Sequence, residues 1–326
     1  MRTRHVIAVL VLAGAMPSPH AGAQGTSAYP TKPVRVIVPS PAGGNPDFIV
    51  RPVAQRMSES LKQPFIVDNR GGANGIVGLD ATAKSPADGY TILLGAIGHF
   101  ATNYAINEKL PFDTFRDFTP IVNLVETPFY LFVHPSLPVR SVKEYIALAK
   151  AQPGKITYMS FGVGSFPHFL SESLSAVGGV KLLHVPYKGS GPAQTALLAG
   201  HVVSGFDAMQ STLPHLKAGR LRVLAVASEK RARIAPELPT FAEVGLPHVG
   251  VPAWFGLFAP GATPRDVVVK LNAEAIKALG APEIRHMFEP VGFEIVGSTP
   301  EDFAAKLRRD IDMFVKVARR ANIRAE

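Results

Sequence analysis

From residue 34 onward, short apolar, β-branched runs alternate with stretches whose apolar residues recur at helical spacing. The run Val34-Arg35-Val36-Ile37-Val38 predicts a first strand that ends at Pro39-Ser40-Pro41-Ala42-Gly43-Gly44. Phe48, Val53, Met57 and Leu61 then share one side of a helix starting near Pro46. Residues 65–67 predict a strand, Gly71 and Gly72 a turn, and a second helix runs to about residue 84. A third strand is expected over 90–94. This β–α–β–α–β order with short connections predicts a parallel sheet with helices on both faces.

The middle of the chain repeats the pattern. Strands are expected over 129–133, 156–160, 182–186, 202–206 and 223–227, and again over 254–259. Ser141-Val142-Lys143-Glu144 is a capping box opening a helix to about residue 151. Gly162 and Gly164 precede another helix that starts near Pro167. Thr263-Pro264 and Thr299-Pro300 each place an N-cap residue before a proline, and the last helix is expected over about 300–319. At roughly 150 residues per domain, 326 residues suggest two units. Neither a short repeat nor a polar linker divides them, so the chain is expected to cross between two lobes more than once, near 124–129 and 249–252. Ligands of such proteins sit between the lobes, at the carboxyl ends of strands.

The first residues break the pattern. Arg2, Arg4 and His5 precede an apolar run over 6–16, and Ala21-Gly22-Ala23 supplies small residues for a signal peptidase. Residues 1–23 therefore read as a secretory signal peptide cleaved near Ala23. Their 11-residue apolar run is short of the about 20 residues a membrane anchor needs. The absence of cysteine excludes a lipoprotein anchor, a thiol nucleophile, disulfides and cysteine-based metal sites. The expected compartment is the periplasm, where disulfides are allowed but not required.

A hydrophobic fraction of 47% with 18% charged residues excludes disorder as the main state. The net charge of +9 favours an anionic partner. Nucleic acid is not expected, because the basic residues are scattered and lack aromatic interleaving. The densest basic group, Lys306, Arg308, Arg309, Lys316, Arg319, Arg320 and Arg324, reads as the solvated face of the last helix.

Two turns carry candidate chemistry. The first holds Ala42, Gly43, Gly44, Asn45 and Asp47 at a strand's carboxyl end and a helix start, where backbone N–H groups approach an anion. Pro46 removes one donor, and the Gly-Lys-Ser/Thr of a nucleotide loop is absent. The alternative is a tight turn that needs glycine only for geometry. The second holds Ser160, Gly162, Gly164, Ser165 and His168 in the same strand-to-helix context, with Ser165 suited to an N-cap. Two such turns, one from each lobe, suit the two ends of one small anion. A third cluster, Gly71, Gly72, Asn74, Gly75 and Gly78, has helical glycine spacing and predicts close helix packing. Catalysis finds little support: there is no nucleophile elbow and no paired-histidine metal motif, and Asp47, Glu172 and Asp207 have no readable partner. A Ser165/His168 nucleophile and base lacks an orienting acid.

Motifs spread over nearly the whole chain resemble the Bug family of extracytoplasmic solute receptors, the substrate-binding proteins of tripartite tricarboxylate transporters. They begin with Tyr29-Pro30-Thr31-Lys32-Pro33-Val34-Arg35 and the Pro-Ala-Gly-Gly turn ending at Asp47. Asp68-Asn69-Arg70, Asp88-Gly89-Tyr90, His134-Pro135-Ser136-Leu137-Pro138, His184-Val185-Pro186-Tyr187-Lys188-Gly189 and Trp254-Phe255-Gly256-Leu257 follow in order. The resemblance implies an α/β, two-lobed periplasmic-binding-protein fold of type II-like form. Each lobe is then a mainly parallel sheet flanked by helices, with 24–124 plus 252–326 as lobe 1 and 125–251 as lobe 2. It implies a receptor without a cofactor that closes on a small carboxylate, a di- or tricarboxylate or an aromatic acid. Delivery would be to a tripartite tricarboxylate-type transporter or a signalling partner, with a monomer expected. It adds Gly98 and His99, beside Ala96, as a third contact, and Asp207 as a further one. Ser40, Pro46 and Ala96 depart from the residues common in the family: the first removes an aromatic wall, the others polar contacts. Phe166 and His99 add bulk near the cleft. Two other readings are a secreted α/β hydrolase using Ser165/His168 and a stand-alone effector-sensing module.

Overall fold

The computed structural model describes residues 29–247, 249–321, 323 and 324; the expected signal peptide and its cleavage point lie outside them. The chain opens with β1 (Val34–Val38), α1 (Asn45–Leu61), β2 (Phe65–Asn69), α2 (Ile76–Ala83), β3 (Thr91–Ala96), α3 (Asn103–Ile106) and β4 (Phe118–Thr127). It continues through β5 (Phe129–Val133), α4 (Val142–Ala151), β6 (Thr157–Ser160), α5 (Phe166–Gly178), β7 (Leu183–Pro186), α6 (Ser190–Leu198), β8 (Ser204–Ala208), α7 (Met209–Lys217) and β9 (Arg222–Ala227). It closes with β10 (Ala253–Pro260), α8 (Arg265–Leu279), α9 (Pro282–Phe288), β11 (Glu294–Ile295) and α10 (Pro300–Ala321).

Among the described residues the strands form a six-stranded sheet, β11-β4-β10-β3-β1-β2, and a five-stranded sheet, β7-β6-β8-β5-β9. Each sheet with its helices makes one lobe. β1 pairs in parallel with β2 and β3, and β6 with β7 and β8. The sheets are nevertheless mixed rather than mainly parallel. β10 runs antiparallel between β3 and β4, and β5 runs antiparallel between β8 and β9. These are the strands by which the chain enters each sheet from the other, so each is inserted against its neighbours.

β3, β5 and β10 are buried along their full length, as continuous apolar runs covered on both faces must be. Among the helices, α10 shows the expected division: Phe303, Leu307, Ile311, Phe314 and Ala318 are buried, while Arg308, Arg309, Lys316 and Arg319 are exposed. Lys306 instead sits half-buried between Glu126 and Asp310, 3.4 Å from each. Asp310 accepts the indole N–H of the fully buried Trp254 at 2.8 Å, which ties α10 to β10. β4 escaped the pattern because Pro120 and Asn123 interrupt its apolar run. The proline is tolerated where the β4–β10 register shifts. Thr299 caps α10 as expected, its Oγ1 accepting from Asp302 N at 3.1 Å. Thr263 does not cap α8, which begins one residue later; its hydroxyl donates to the Pro260 carbonyl at 2.8 Å.

Close packing fixes several glycines. A Cβ on Gly261 would stand 1.8 Å from the Arg116 carbonyl oxygen, which is backbone and has no rotamer to yield. Gly261→Ala is therefore expected to cost about 1–3 kcal/mol and lower Tm by roughly 2–10 °C. A calorimetric melt matching the wild type would show that the Arg116 segment moves freely.

Candidate functional site

A cleft of about 1010 Å³ lies between the lobes, at the ends of β1, β3, β6 and β7. Of the residues expected at the site, Ala42, Gly44, Asn45, Gly98, His99, Gly162 and Ser165 line it. Gly43, Asp47, Ser160, Gly164, His168 and Asp207 stand behind that lining and hold it in shape.

Asp47 shows how. Its carboxylate accepts from the Gly43 amide at 2.7 Å, Asn69 Nδ2 at 2.9 Å and Arg51 Nη2 at 3.2 Å. Asn69 also donates to the Ser40 carbonyl at 3.1 Å. The buried carboxylate thus staples the β1–α1 turn to β2. Gly43, at φ +88°, gives its N–H to this staple rather than to the cleft. With Pro46 lacking an N–H, the first turn of α1 is left with the amides of Asn45 and Asp47.

The β6–α5 turn is likewise closed on itself. Ser160 Oγ accepts from Gly162 N at 3.1 Å and lies 2.6 Å from His184 Nε2. Ser165 occupies the N-cap position, but its Oγ accepts from Phe161 N at 3.2 Å instead of from the helix. Gly164 N donates to His168 Nδ1 at 3.0 Å. The Ser165/His168 pairing of the hydrolase reading is therefore not made: each group is engaged with the turn backbone. His168 stacks on His184, with centroids 4.1 Å apart and planes within 6°, and Tyr158 lies beside the pair, 4.9 Å from His184 and 6.4 Å from His168. Burial pushes both imidazoles down to about 4.

The lobes meet across the cleft. Asn74 Nδ2 donates to Asn103 Oδ1 and to the Gly164 carbonyl, each at 2.9 Å. A Cβ on Gly164 would stand 2.2 Å from Ile106 Cδ1, and one on Gly98 would stand 3.3 Å from Phe166. Asn74 belongs to the third glycine cluster, expected as helix packing. Only Gly78 packs that way, a Cβ there falling 2.7 Å from Pro39 Cβ. Gly72, Ala73, Asn74 and Gly75 instead form a left-handed turn, with φ of +128°, +45°, +49° and +87°. A positive φ at alanine is disfavoured and marks a backbone held by its surroundings. His99 rests on Gly75, where a Cβ would stand 2.7 Å from its ring, and burial pushes its imidazole down to about 4.

One further segment lines the cleft beyond those expected from the sequence. Tyr187, Lys188, Gly189, Ser190, Gly191 and Pro192 form the β7–α6 turn, with Gly189 at φ +106°. Its signal is the same as in the other two turns, a strand followed by glycines and a helix start. Lys188 is the cation among the lining residues. The walls are aromatic and apolar: Phe129 meets Phe166 edge-on at 5.0 Å and Phe161 at 6.2 Å, and Phe255 lines the first lobe. Asp207, at the end of β8, is fully buried outside the lining. Burial pushes its carboxyl up to about 7, while the Ala208 amide, Ser211 and Asn45 pull the other way.

Residues 49–315 match the family model of the tripartite tricarboxylate transporter family receptor. The chain is similar to BugT of Bordetella pertussis, at 36% identity over 292 residues, covering 89% of this chain and 90% of that one. Among solved structures it is similar to Rpa4515 of R. palustris with adipate (TM-score 0.86, 36% identity, 91% of this chain and 99% of that one). It is also similar to the periplasmic binding protein BugD (TM-score 0.86, 31% identity, 91% of this chain and all, 100%, of that one).

Proposed function

The chain belongs to the tripartite tricarboxylate transporter receptor family, and we propose that it is a periplasmic receptor that binds a small carboxylate unaltered and presents it to a membrane transporter of that kind. The observation that carries this reading is the cleft itself. Two glycine-bearing lobes close on it through Asn74 and Gly164, and Lys188 lines it as a cation with no ion pair among the described residues. A related chain with the same fold is described with adipate, and another as periplasmic. In this reading Ala42, Gly44, Asn45, Gly98, His99, Gly162 and Ser165 meet the ligand. Gly43, Asp47, Ser160, Gly164, His168 and Asp207 support them. The lobe division 24–124 with 252–326 against 125–251 is part of the proposal. Strand membership supports it, with β4 pairing in the first sheet through Thr127 and β5 opening the second at Phe129. Hydrolysis finds no support in a serine and histidine each bonded to the turn backbone.

A thermal-shift screen tests the reading. The protein is unfolded and refolded to remove carried ligand, then melted with C3–C6 dicarboxylates, citrate, benzoate, terephthalate, nicotinate and acidic amino acids. A ligand at a hundredfold excess over its Kd should stabilise by about 2.7 kcal/mol. Hydrolysis of an ester or amide substrate, with no shift from any acid, would overturn the receptor reading.

A further inference from the structure

The bond from Asn74 to the Gly164 carbonyl joins the lobes across the cleft, and each of its ends is set from behind. On the first lobe Asn103 holds Asn74 twice. Its Oδ1 accepts from Asn74 Nδ2 at 2.9 Å, and its Nδ2 donates to the Asn74 carbonyl at 3.0 Å. On the second lobe the acceptor belongs to a glycine at φ +73°, two residues after another at φ +125°. Glycine visits positive and negative φ about equally, so this turn does not fix its own shape.

His168 fixes it from outside. As the third residue of α5, it accepts the Gly164 N–H on Nδ1 at 3.0 Å. A side chain at that position usually reaches back to the amide of the N-cap residue. Here it reaches one residue further, past Ser165, to the glycine that makes the lobe contact. Gly164 is buried, so without His168 its N–H would lack a partner. The imidazole is held in turn by its stack on His184. Ser160 Oγ lies 2.6 Å from His184 Nε2 and accepts the Gly162 amide, so the stacked pair backs both glycines of the turn. Tyr158 lies beside the rings and donates its hydroxyl to Glu172 at 2.5 Å. His168, His184 and Tyr158 all stand outside the cleft lining.

Resting on the receptor reading, we propose that His168 is a positioning residue for lobe closure: by holding the Gly164 amide it presents the Gly164 carbonyl to Asn74, and so sets how long the closed cleft retains its ligand. Each half of the contact is built before the lobes meet, which limits the freedom lost on closing.

Spin labels on Val177→Cys and Val269→Cys report closure. Both residues are exposed, one on each lobe and outside the cleft lining, in a chain with no cysteine of its own. Interlobe distances are measured in the refolded protein alone and with adipate, citrate or benzoate. His168→Phe keeps a ring to stack on His184 but removes the acceptor. It should lower the ratio of closed to open protein about tenfold, equivalent to 1.4 kcal/mol, and speed dissociation of a bound acid by a similar factor. His168→Leu gives the same readout should the larger ring fail to fit. His168→Asn, whose Oδ1 keeps an acceptor at the same branch point, should stay within about threefold of the wild type. In Asn74→Ala the lobe contact is already gone, so adding His168→Phe should change the ratio by less than about twofold, whereas a residue that merely packs would act equally in both backgrounds. Any of four results would overturn the proposal: no closed protein in the wild type under any condition, wild-type closure in His168→Phe, a loss in His168→Asn as large as in His168→Phe, or an undiminished loss in the Asn74→Ala background. Closure that depends on His168 while no acid of the wider panel binds would instead remove the receptor reading and leave the positioning role standing.

Discussion

Gly164→Leu should weaken ligand binding by about a hundredfold or more, equivalent to 2.7 kcal/mol, while the protein stays folded. Gly164 is at φ +73°, a conformation that leucine adopts at a cost of about 1–2 kcal/mol. That strain is local to the β6–α5 turn. The larger effect lies across the cleft, where the new Cβ would stand 2.2 Å from Ile106 Cδ1. Relieving the overlap separates the lobes and breaks the 2.9 Å bond from Asn74 to the Gly164 carbonyl. Closure fails, but neither sheet loses its own core. Titration with the acid that gives the largest thermal shift, beside a circular-dichroism melt, separates the two effects. Adding Ile106→Ala to Gly164→Leu should recover part of the affinity by making room. Wild-type affinity in the single variant would show that this contact does not govern closure.

Acid should destabilise the protein between about pH 6.5 and 4. His99, His168 and His184 ordinarily titrate at 6.5, and burial holds each down to about 4. Above 6.5 they are neutral whether the chain is folded or unfolded, and their full contribution to stability is present. As pH falls toward 4, the unfolded chain takes up protons that the folded one refuses, and that contribution is lost. Asp207 acts in the opposite sense. Its carboxyl is raised from 3.8 to about 7, so across the same window the folded chain retains a proton that the unfolded chain releases. Asp310, also raised by burial, acts with Asp207 at the acid end of the window, and three groups against two still leave a net loss. Allowing for the partial exposure of His184, the slope should be on the order of 1 kcal/mol per pH unit. Urea midpoints measured from pH 7 to 4.5 would reveal it. The double variant His168→Gln, His184→Gln should flatten the curve, and a flat curve in the wild type would contradict the argument.

Much of the fold can be read from the chain. β5 is an uninterrupted apolar run and β1 is broken only by Arg35, and the glycines after β1 and β6 mark strand-to-helix turns. β4 is hidden because Pro120 breaks its pattern, and the bulge that accommodates it depends on a partner strand more than a hundred residues away. The site is legible as a set of turns but not as a set of contacts. Nothing local tells that the Gly43 and Gly162 amides bond to Asp47 and Ser160 rather than facing a ligand. Asn74 reads as part of a helix-packing cluster because its reach to Gly164 spans the two lobes. His184 lies in a strand and stacks on His168 only because β6 and β7 pair side by side. Lys188 follows a strand and precedes a glycine, as the other turn residues do, but in the sequence its motif stands out only as a mark of the family.

The insertion of β5 and β10 against their neighbours has a mechanical consequence. Thr127 and Ala253, the last residue of β4 and the first of β10, face each other as register partners. Just beyond them Phe129 pairs with Ala227, and a Cβ on Gly250 would stand 2.5 Å from the Ala227 side chain. Outgoing and returning chains therefore leave the first sheet together, like the two rails of a hairpin whose loop has grown into an entire lobe. A single thread lets a body swing in any direction. Two strands side by side resist bending within their own plane and yield to bending out of it, so one hinge angle describes how far the jaws stand apart.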